Sequence, residues 1–241
     1  MEISVIASGS NGNSCLVEHN NTSVLIDAGK SAREIEKRLN NLGKSLENVD
    51  GLVVSHAHID HIRGAGVIYR RYGIPVYMTK QTYSYFDCQA KLFTLNSLFH
   101  IKNIRILPIH TSHDVHSCGF VIGNFGIFTD TGKVTRQISD ALPNLKAVLL
   151  ESNHDIDMLI SGPYPPYLKS RILSDTGHLS NIHASQLVAE KGKSLSRVFL
   201  GHLSAVNNTP ELARKTFESL APARIDCVVC SRDSETGTFQ F

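Results

Sequence analysis

A mixed α/β fold, with two sheets packed together and helices covering them, is what this 241-residue sequence predicts. Short apolar runs of strand length recur along the whole chain, bounded by Gly, Asn and Asp. Some of them, such as VLLES and RVFLG, are apolar throughout, so both faces are buried and helices must lie outside. Between them lie amphipathic stretches of helical period. No low-complexity linker, fixed-period repeat or charge block interrupts the pattern, so one domain over residues 1–241 is expected.

Taken in order, EISVIA, SCLVEH and TSVLIDAG read as three successive strands separated by SGSNGN and NN turns. SAREIEKRLNNLG then has the spacing of an amphipathic helix. GLVV is a buried strand, and IRGAGVIYRRYG downstream of it reads as a helix. PVYM, NIRILPIH, CGFVIG and FGIFTD follow as strands, then KAVLLES, RVFLGH and RIDCVV with helical stretches between them. Hairpins and strand-helix alternation are thus both present.

Composition narrows the function classes. A hydrophobic fraction of 41% suits a sizeable buried core. No apolar run approaches the roughly 18 to 20 residues that span a bilayer. MEISVIASGS lacks a basic segment followed by a long apolar one, so neither membrane insertion nor a cleaved signal is expected. Five cysteines, an odd number in a chain too long to need stapling, fit reduced thiols in a cytoplasm. Cys227 and Cys230 form a C-x-x-C pair, but IDCVVCS reads as a strand rather than a zinc knuckle. The net charge of +2 neither demands nor excludes a polyanionic partner.

The chemistry concentrates in SHAHIDH, residues 55–61, on a strand-to-helix turn. In an extended turn His56 and His58 project to the same side, while Asp60 and His61 at the helix start turn toward a second point. That suits two adjacent metal ions. Imidazole and carboxylate favour zinc, manganese or iron over calcium or magnesium, and the absence of cysteine argues against a purely structural zinc site. Two ions need further ligands at strand ends, and His113 in TSHD, Asp130 in FTDTG and His202 in FLGHLS supply them. A carboxylate such as Asp130 is able to bridge both ions.

HAHIDH followed by His113, Asp130 and His202 resembles the H-x-H-x-D-H signature and later ligands of the metallo-β-lactamase superfamily, whose fold is a four-layer αββα sandwich. The resemblance implies that His56, His58 and His113 hold one divalent ion (zinc or manganese, with iron a further option). Asp60, His61 and His202 would hold a second, and Asp130 both. ASGSNGNS, FTDTG, ESNHD, YPPYLKSRILSDTGHLSN and GHLSAVNN are similar to the YycJ/WalJ group of that superfamily, bacterial metallo-hydrolases regarded as exonuclease-like. DTGHLSN resembles the GHAS-type motif of the β-CASP nucleases, whose histidine contacts the scissile phosphate, which implies a catalytic role for His178. The domain that β-CASP enzymes insert before the last metal histidine has no room here, and the long arm of RNase Z is not evident.

The expected activity is therefore a dinuclear metal-dependent phosphodiesterase. Its substrate would be DNA, digested from a strand end, 5′ to 3′ by resemblance. In such a site two ions activate a bridging water. Asp60 would orient the nucleophile, and His178 would bind the phosphate or donate a proton to the leaving oxygen. Ser10, Asn11 and Asn13 in SGSNGNS either face an anion or form a turn. His154 in ESNHD approaches the substrate or joins Glu151 behind the ligands, beside a helix cap from Ser152 or Asn153. Lys169 and Arg171, with Tyr164 and Tyr167, form a basic, partly aromatic surface for a strand or a solvated helix face. Ser180 and Asn181 after His178 complete the substrate-side candidates. Two rivals share these residues: a thioester hydrolase of the glyoxalase II type, and a metal-bound regulatory partner in cell-wall signalling. Oligomeric state and protein partners are left open.

Overall fold

The computed structural model describes all 241 residues. The elements are β1 (Glu2–Ala7), β2 (Ser14–His19), β3 (Thr22–Ile26), α1 (Ala32–Asn41), β4 (Gly51–Val53), α2 (Ile59–Ile62), α3 (Ala65–Tyr72), β5 (Val76–Met78), α4 (Lys80–Tyr83), β6 (Lys91–Leu92), β7 (Phe99–Ile101) and β8 (Ile104–His110). They continue with β9 (Cys118–Ile122), β10 (Phe125–Phe128), α5 (Arg136–Ala141), β11 (Ala147–Glu151), α6 (Ile156–Ser161), α7 (Pro166–Ile172), α8 (Asn181–Lys191), β12 (Arg197–Gly201), α9 (Pro210–Leu220), β13 (Asp226–Val229) and β14 (Gly237–Gln240). One seven-stranded sheet has the order β14-β1-β2-β3-β4-β5-β6, the other β13-β12-β11-β10-β9-β8-β7. Both are mixed, as the alternation of hairpins and crossovers predicted. No helix is long and apolar enough to cross a membrane.

The chain forms two compact units, Met1–Pro108 with Ser231–Phe241, and Ile109–Cys230. In the first, β1, β2 and β3 are antiparallel, and β3, β4 and β5 are parallel. Leu16, Leu25 and Leu52 of this sheet share one core with Ile35 and Leu39 of α1 and Ile68 of α3. Ser31 caps α1, its side chain accepting from the Glu34 N–H. Arg38, on the buried side of α1, donates to the carbonyls of Ile6 and Asp233 at 3.0 and 2.9 Å. It thereby ties the helix to β1 and to the C-terminal return. That return, β14, pairs with β1 and was not legible in the sequence.

In the second unit β9 and β10 form a hairpin, and β10, β11, β12 and β13 are parallel. Strands β10 and β11 are buried along their length and β12 from Val198 onward, as VLLES and RVFLG predicted, with Phe125 and Phe199 packed edge to face. The single helix expected after GLVV is instead α2 and α3, broken at residues 63–64, where the Gly64 N–H donates to the Ala28 carbonyl rather than continuing a helix ladder. Cys227 lies within β13, where burial pushes its thiol up to about 11, and none of the five cysteines forms a disulfide.

Candidate metal centre

Each unit gathers its polar residues at the carboxyl ends of parallel strands, where side chains beyond the last ladder bond are released from the sheet. In the first unit, β3 ends at Ile26 and the chain turns at Asp27 with φ +60°. Beside it, β4 runs into residues 55–61, with His58 at the N-cap of α2. The two segments interlock. The Asn13 N–H donates to the Asp60 carbonyl, and the Ala28 N–H to that of His61. A Cβ on Gly29 would lie 1.7 Å from the Asp60 carbonyl oxygen, so only glycine lets the histidine turn sit this close.

Asp27, 4% exposed, accepts from the Ser55 N–H at 2.7 Å, the Ser55 hydroxyl at 2.9 Å and His61 Nδ1 at 2.8 Å. With its proton given to Asp27, the Ser55 oxygen accepts from His56 Nδ1 at 3.0 Å. A carboxylate only accepts, so both imidazoles carry the proton on Nδ1 and keep the lone pair on Nε2, the state a metal-ligating histidine needs. Asn13 Nδ2 donates to His61 Nε2 at 3.0 Å, consistent with a lone pair there. The His56 ring lies 4.8 Å from that of His58 and 4.1 Å from that of His61, centroid to centroid. Asp60 Oδ2 stands 3.7 Å from His61 Nε2. Sequence reasoning missed Asp27, although an aspartate closing an apolar strand in IDAG was a signal.

The second unit repeats the device with Glu151. Strand register sets Phe128 beside Leu150 and Glu151 beside Gly201, so residues just past these ends, Asp130 and His202, flank Glu151. Asp130 and His202 both have φ +56°, a left-handed backbone that turns each side chain away from its strand direction. Glu151 is fully buried; Oε1 accepts from His178 Nδ1 at 2.7 Å and His202 Nδ1 at 2.8 Å. Its Oε2 accepts from the N–H groups of Thr131 and Leu179 at 2.8 and 3.3 Å. Burial alone would raise this carboxyl, but the His178 charge and the hydrogen bonds from His178 and His202 outweigh it and hold it well below the usual carboxylate range.

Asp130 Oδ1 stands 3.8 Å from His113 Nε2 and 3.6 Å from His202 Nε2. His113 Nδ1 donates to the Gly177 carbonyl at 3.2 Å, and burial lowers its pKa against the pull of Asp130, favouring the neutral ring. Ligand atoms of Asp130, Glu151, His178 and His202 all lie within 4.8 Å of one another. Imidazole and carboxylate donors, with tautomers set from behind and no thiolate among them, fit zinc, manganese or iron.

The substrate-side candidates separate. Ser10 is exposed and Asn11 half-buried. Asn13 is 6% exposed, and its amide also engages the Gly9 N–H and carbonyl. His154 is 1% exposed with both ring nitrogens buried. Ser180 caps α8, and Asn181 is fully buried in a reciprocal amide pair with Asn208. Lys169 Nζ donates to the Ile160 carbonyl near the end of α6, at 2.6 Å. Arg171, more than half exposed, pairs with Asp114. Asn208 also donates to the carbonyls of Ser152 and Asn153, and Asn153 to that of His202. Buried amides thus hold the strained His202 backbone.

Comparison with known proteins agrees with this geometry. The chain is 34% identical over 229 residues to exodeoxyribonuclease WalJ of Streptococcus pneumoniae, covering 88% of this chain and 85% of that protein. It is 33% identical over 228 residues to exodeoxyribonuclease YycJ of Bacillus anthracis, covering 89% and 86%. Among solved structures, the metallo-β-lactamase fold protein YhfI of Bacillus subtilis superposes with a TM-score of 0.77 at 16% identity, over 99% of both chains. The model of the metallo-β-lactamase superfamily matches residues 7–143. With that match and those relatives, the histidine and aspartate clusters at the strand ends identify the chain as an enzyme of the metallo-β-lactamase superfamily of metal-dependent hydrolases.

Proposed function

We propose that this protein is a dinuclear metal-dependent phosphodiesterase that digests DNA from the 5′ end, acting as a single metallo-β-lactamase domain. The observation that carries the reading is the Glu151 carboxylate shared between His178 and His202. One anchor sets both a metal-ligand imidazole and a second imidazole suited to a phosphate or a leaving oxygen. Kinship with two exodeoxyribonucleases over most of the chain supports the substrate class.

In this reading His56, His58 and His113 would hold one ion and Asp60, His61 and His202 the other, with Asp130 available to both. When bound, such ions would supply water of lowered pKa as nucleophile and positive charge to offset that of the attacked phosphoryl group. The protein's own residues do the rest. Asp60 orients the nucleophile. His178, its Nδ1 proton engaged by Glu151, presents Nε2 to the phosphate or leaving oxygen and, when protonated, donates there. Asp27 and Glu151 keep the ligand nitrogens aimed. Substrate contacts narrow to Ser10, Asn11 and Arg171, while Asn13, His154, Ser180 and Asn181 act from within the scaffold and Lys169 is tied at the surface to the Ile160 carbonyl. Five cysteines without a disulfide suit a reducing cytoplasm.

The test strips the protein of metal, reloads it with manganese or zinc, and offers 5′- and 3′-labelled single- and double-stranded DNA and RNA. Asp60→Ala serves as control. Metal-dependent shortening of DNA from the 5′ end, lost in Asp60→Ala while its circular dichroism is unchanged, is the expected result. Failure to shorten any strand, with turnover of a thioester instead, would replace the proposal by the glyoxalase II type of activity.

A further inference from the structure

Helix α7 begins at Pro166 and ends against the loop that carries His178. The His178 N–H donates to the Ile172 carbonyl at 3.0 Å, and a Cβ on Gly177 would lie 2.2 Å from the carbonyl oxygen of Arg171. The helix is therefore fastened to the catalytic loop by backbone contact. Its basic residues are used differently. Lys169 is tethered to α6. Arg171 reaches the other way, its Nη2 donating to Asp114 Oδ2, while Asp114 Oδ1 stands 3.2 Å from His113 Nε2. The His113 ring in turn lies 5.3 Å from that of His178, centroid to centroid.

Asp114 thus holds the Arg171 guanidinium beside two site histidines by a single nitrogen. The guanidinium has five N–H donors in a planar fork, and Nε and Nη1 make no hydrogen bond. One turn earlier, Tyr167 occupies the i−4 position on the same helix face and is 76% exposed, a large ring left open to solvent. A fixed cation at the site with an exposed aromatic one turn away is the pairing that single strands use, phosphate on the cation and base on the ring.

We propose that α7 is the strand-holding element of this enzyme. Arg171, positioned by Asp114, binds the backbone phosphate of the nucleotide next to the cleaved bond, and Tyr167 stacks on a base of the same single strand. The proposal rests on the phosphodiesterase reading and assigns the role that the absent clamp domain plays in β-CASP nucleases. It accounts for the ion pair as well. Asp114 sets the guanidinium edge outward before a strand arrives, so less side-chain freedom is lost on binding.

The test compares the metal-loaded wild type with Arg171→Ala, Arg171→Lys, Tyr167→Ala and Tyr167→Phe on a 5′-phosphorylated 12-mer oligothymidylate at three salt concentrations. Arg171→Ala is expected to raise KM by about tenfold, the scale of one charge-assisted hydrogen bond, with kcat nearly unchanged. It should also flatten the salt dependence of log kcat/KM by about 0.7, one phosphate's share on a single strand. Arg171→Lys should keep the salt slope but not the full affinity, because an ammonium lacks the fork. Tyr167→Ala should raise KM by about fivefold or more, and Tyr167→Phe should behave as wild type. Unchanged KM and salt slope in Arg171→Ala, with Tyr167→Ala like wild type, would overturn the proposal while leaving the nuclease reading intact. If the wild type digests nothing, that reading fails instead. Fluorescence anisotropy with the same labelled 12-mer then decides the present proposal: weaker binding by Arg171→Ala upholds it, equal binding overturns it.

Discussion

Replacing Glu151 by Gln removes one charge and alters almost no volume, yet the structure expects it to disable the second unit's cluster of Asp130, His178 and His202. The four groups around this carboxylate are all donors: His178 Nδ1 and His202 Nδ1 on one oxygen, the Thr131 and Leu179 N–H groups on the other. A glutamine amide offers one oxygen and one NH2 group, so whichever way it turns, NH2 meets two N–H donors. Two hydrogen bonds to an ionised acceptor are lost at a fully buried position. At about 1.5 to 3 kcal/mol each, partly relieved if the histidines shift their protons to Nε2, the net destabilisation is about 3 to 5 kcal/mol. Relief by that route removes the lone pair a ligand needs, so metal affinity falls by about 10- to 100-fold. Loss of an oriented His178 lowers kcat by about 10²- to 10⁴-fold. Urea unfolding gives the first quantity, metal content after desalting into defined free-metal buffers the second, and digestion of labelled DNA the third. A Glu151→Gln protein that unfolds within about 1 kcal/mol of wild type and retains its metal and turnover would refute the role of the shared carboxylate.

Other expectations follow from the same geometry. Asp27→Asn keeps a residue type that tolerates φ +60° but loses acceptor capacity toward Ser55 and His61; metal affinity should fall by about 10- to 100-fold with little change in circular dichroism. Gly29→Ala drives a methyl into the Asp60 carbonyl, so it should cost about 1 to 3 kcal/mol in thermal or urea unfolding and reduce metal content as the histidine turn shifts. Burial lowers the His154 pKa from 6.5 to about 4, so the folded state favours the neutral ring while the unfolded chain protonates first. The associated stability is complete above pH 6.5 and declines as pH falls toward 4, by up to about 3 kcal/mol. In His154→Phe that part of the pH dependence should vanish from urea titrations between pH 4 and 7.

The candidate ligands and their order could be read from the sequence because metal chemistry restricts such residues to imidazole and carboxylate, and because strand ends are visible as abrupt stops in apolar runs. HAHIDH after GLVV, TD after FGIF and GH after RVFL are such stops. The two anchors were not equally visible. Glu151 closes KAVLLE and was placed behind the ligands, but Asp27 passed for the end of a strand because its partners Ser55 and His61 are distant in sequence. The substrate-side candidates were least legible. Serine and asparagine serve anions, caps and buried amide networks equally well, and only coordinates separate the exposed Ser10 from Asn181, which is locked to Asn208.

Local chemistry therefore determined the strands, the clustering of candidate ligands at their ends and the absence of any apolar helix long enough to cross a membrane. Tertiary structure decided three other matters: the pairing of β14 with β1, the left-handed turns at Asp27, Asp130 and His202, and which basic residue of α7 reaches the His113 loop. The physical reason is common to all three. Each depends on a partner far away in the chain whose hydrogen bonds offset a local cost, in backbone strain or side-chain entropy, that no short stretch of sequence reveals.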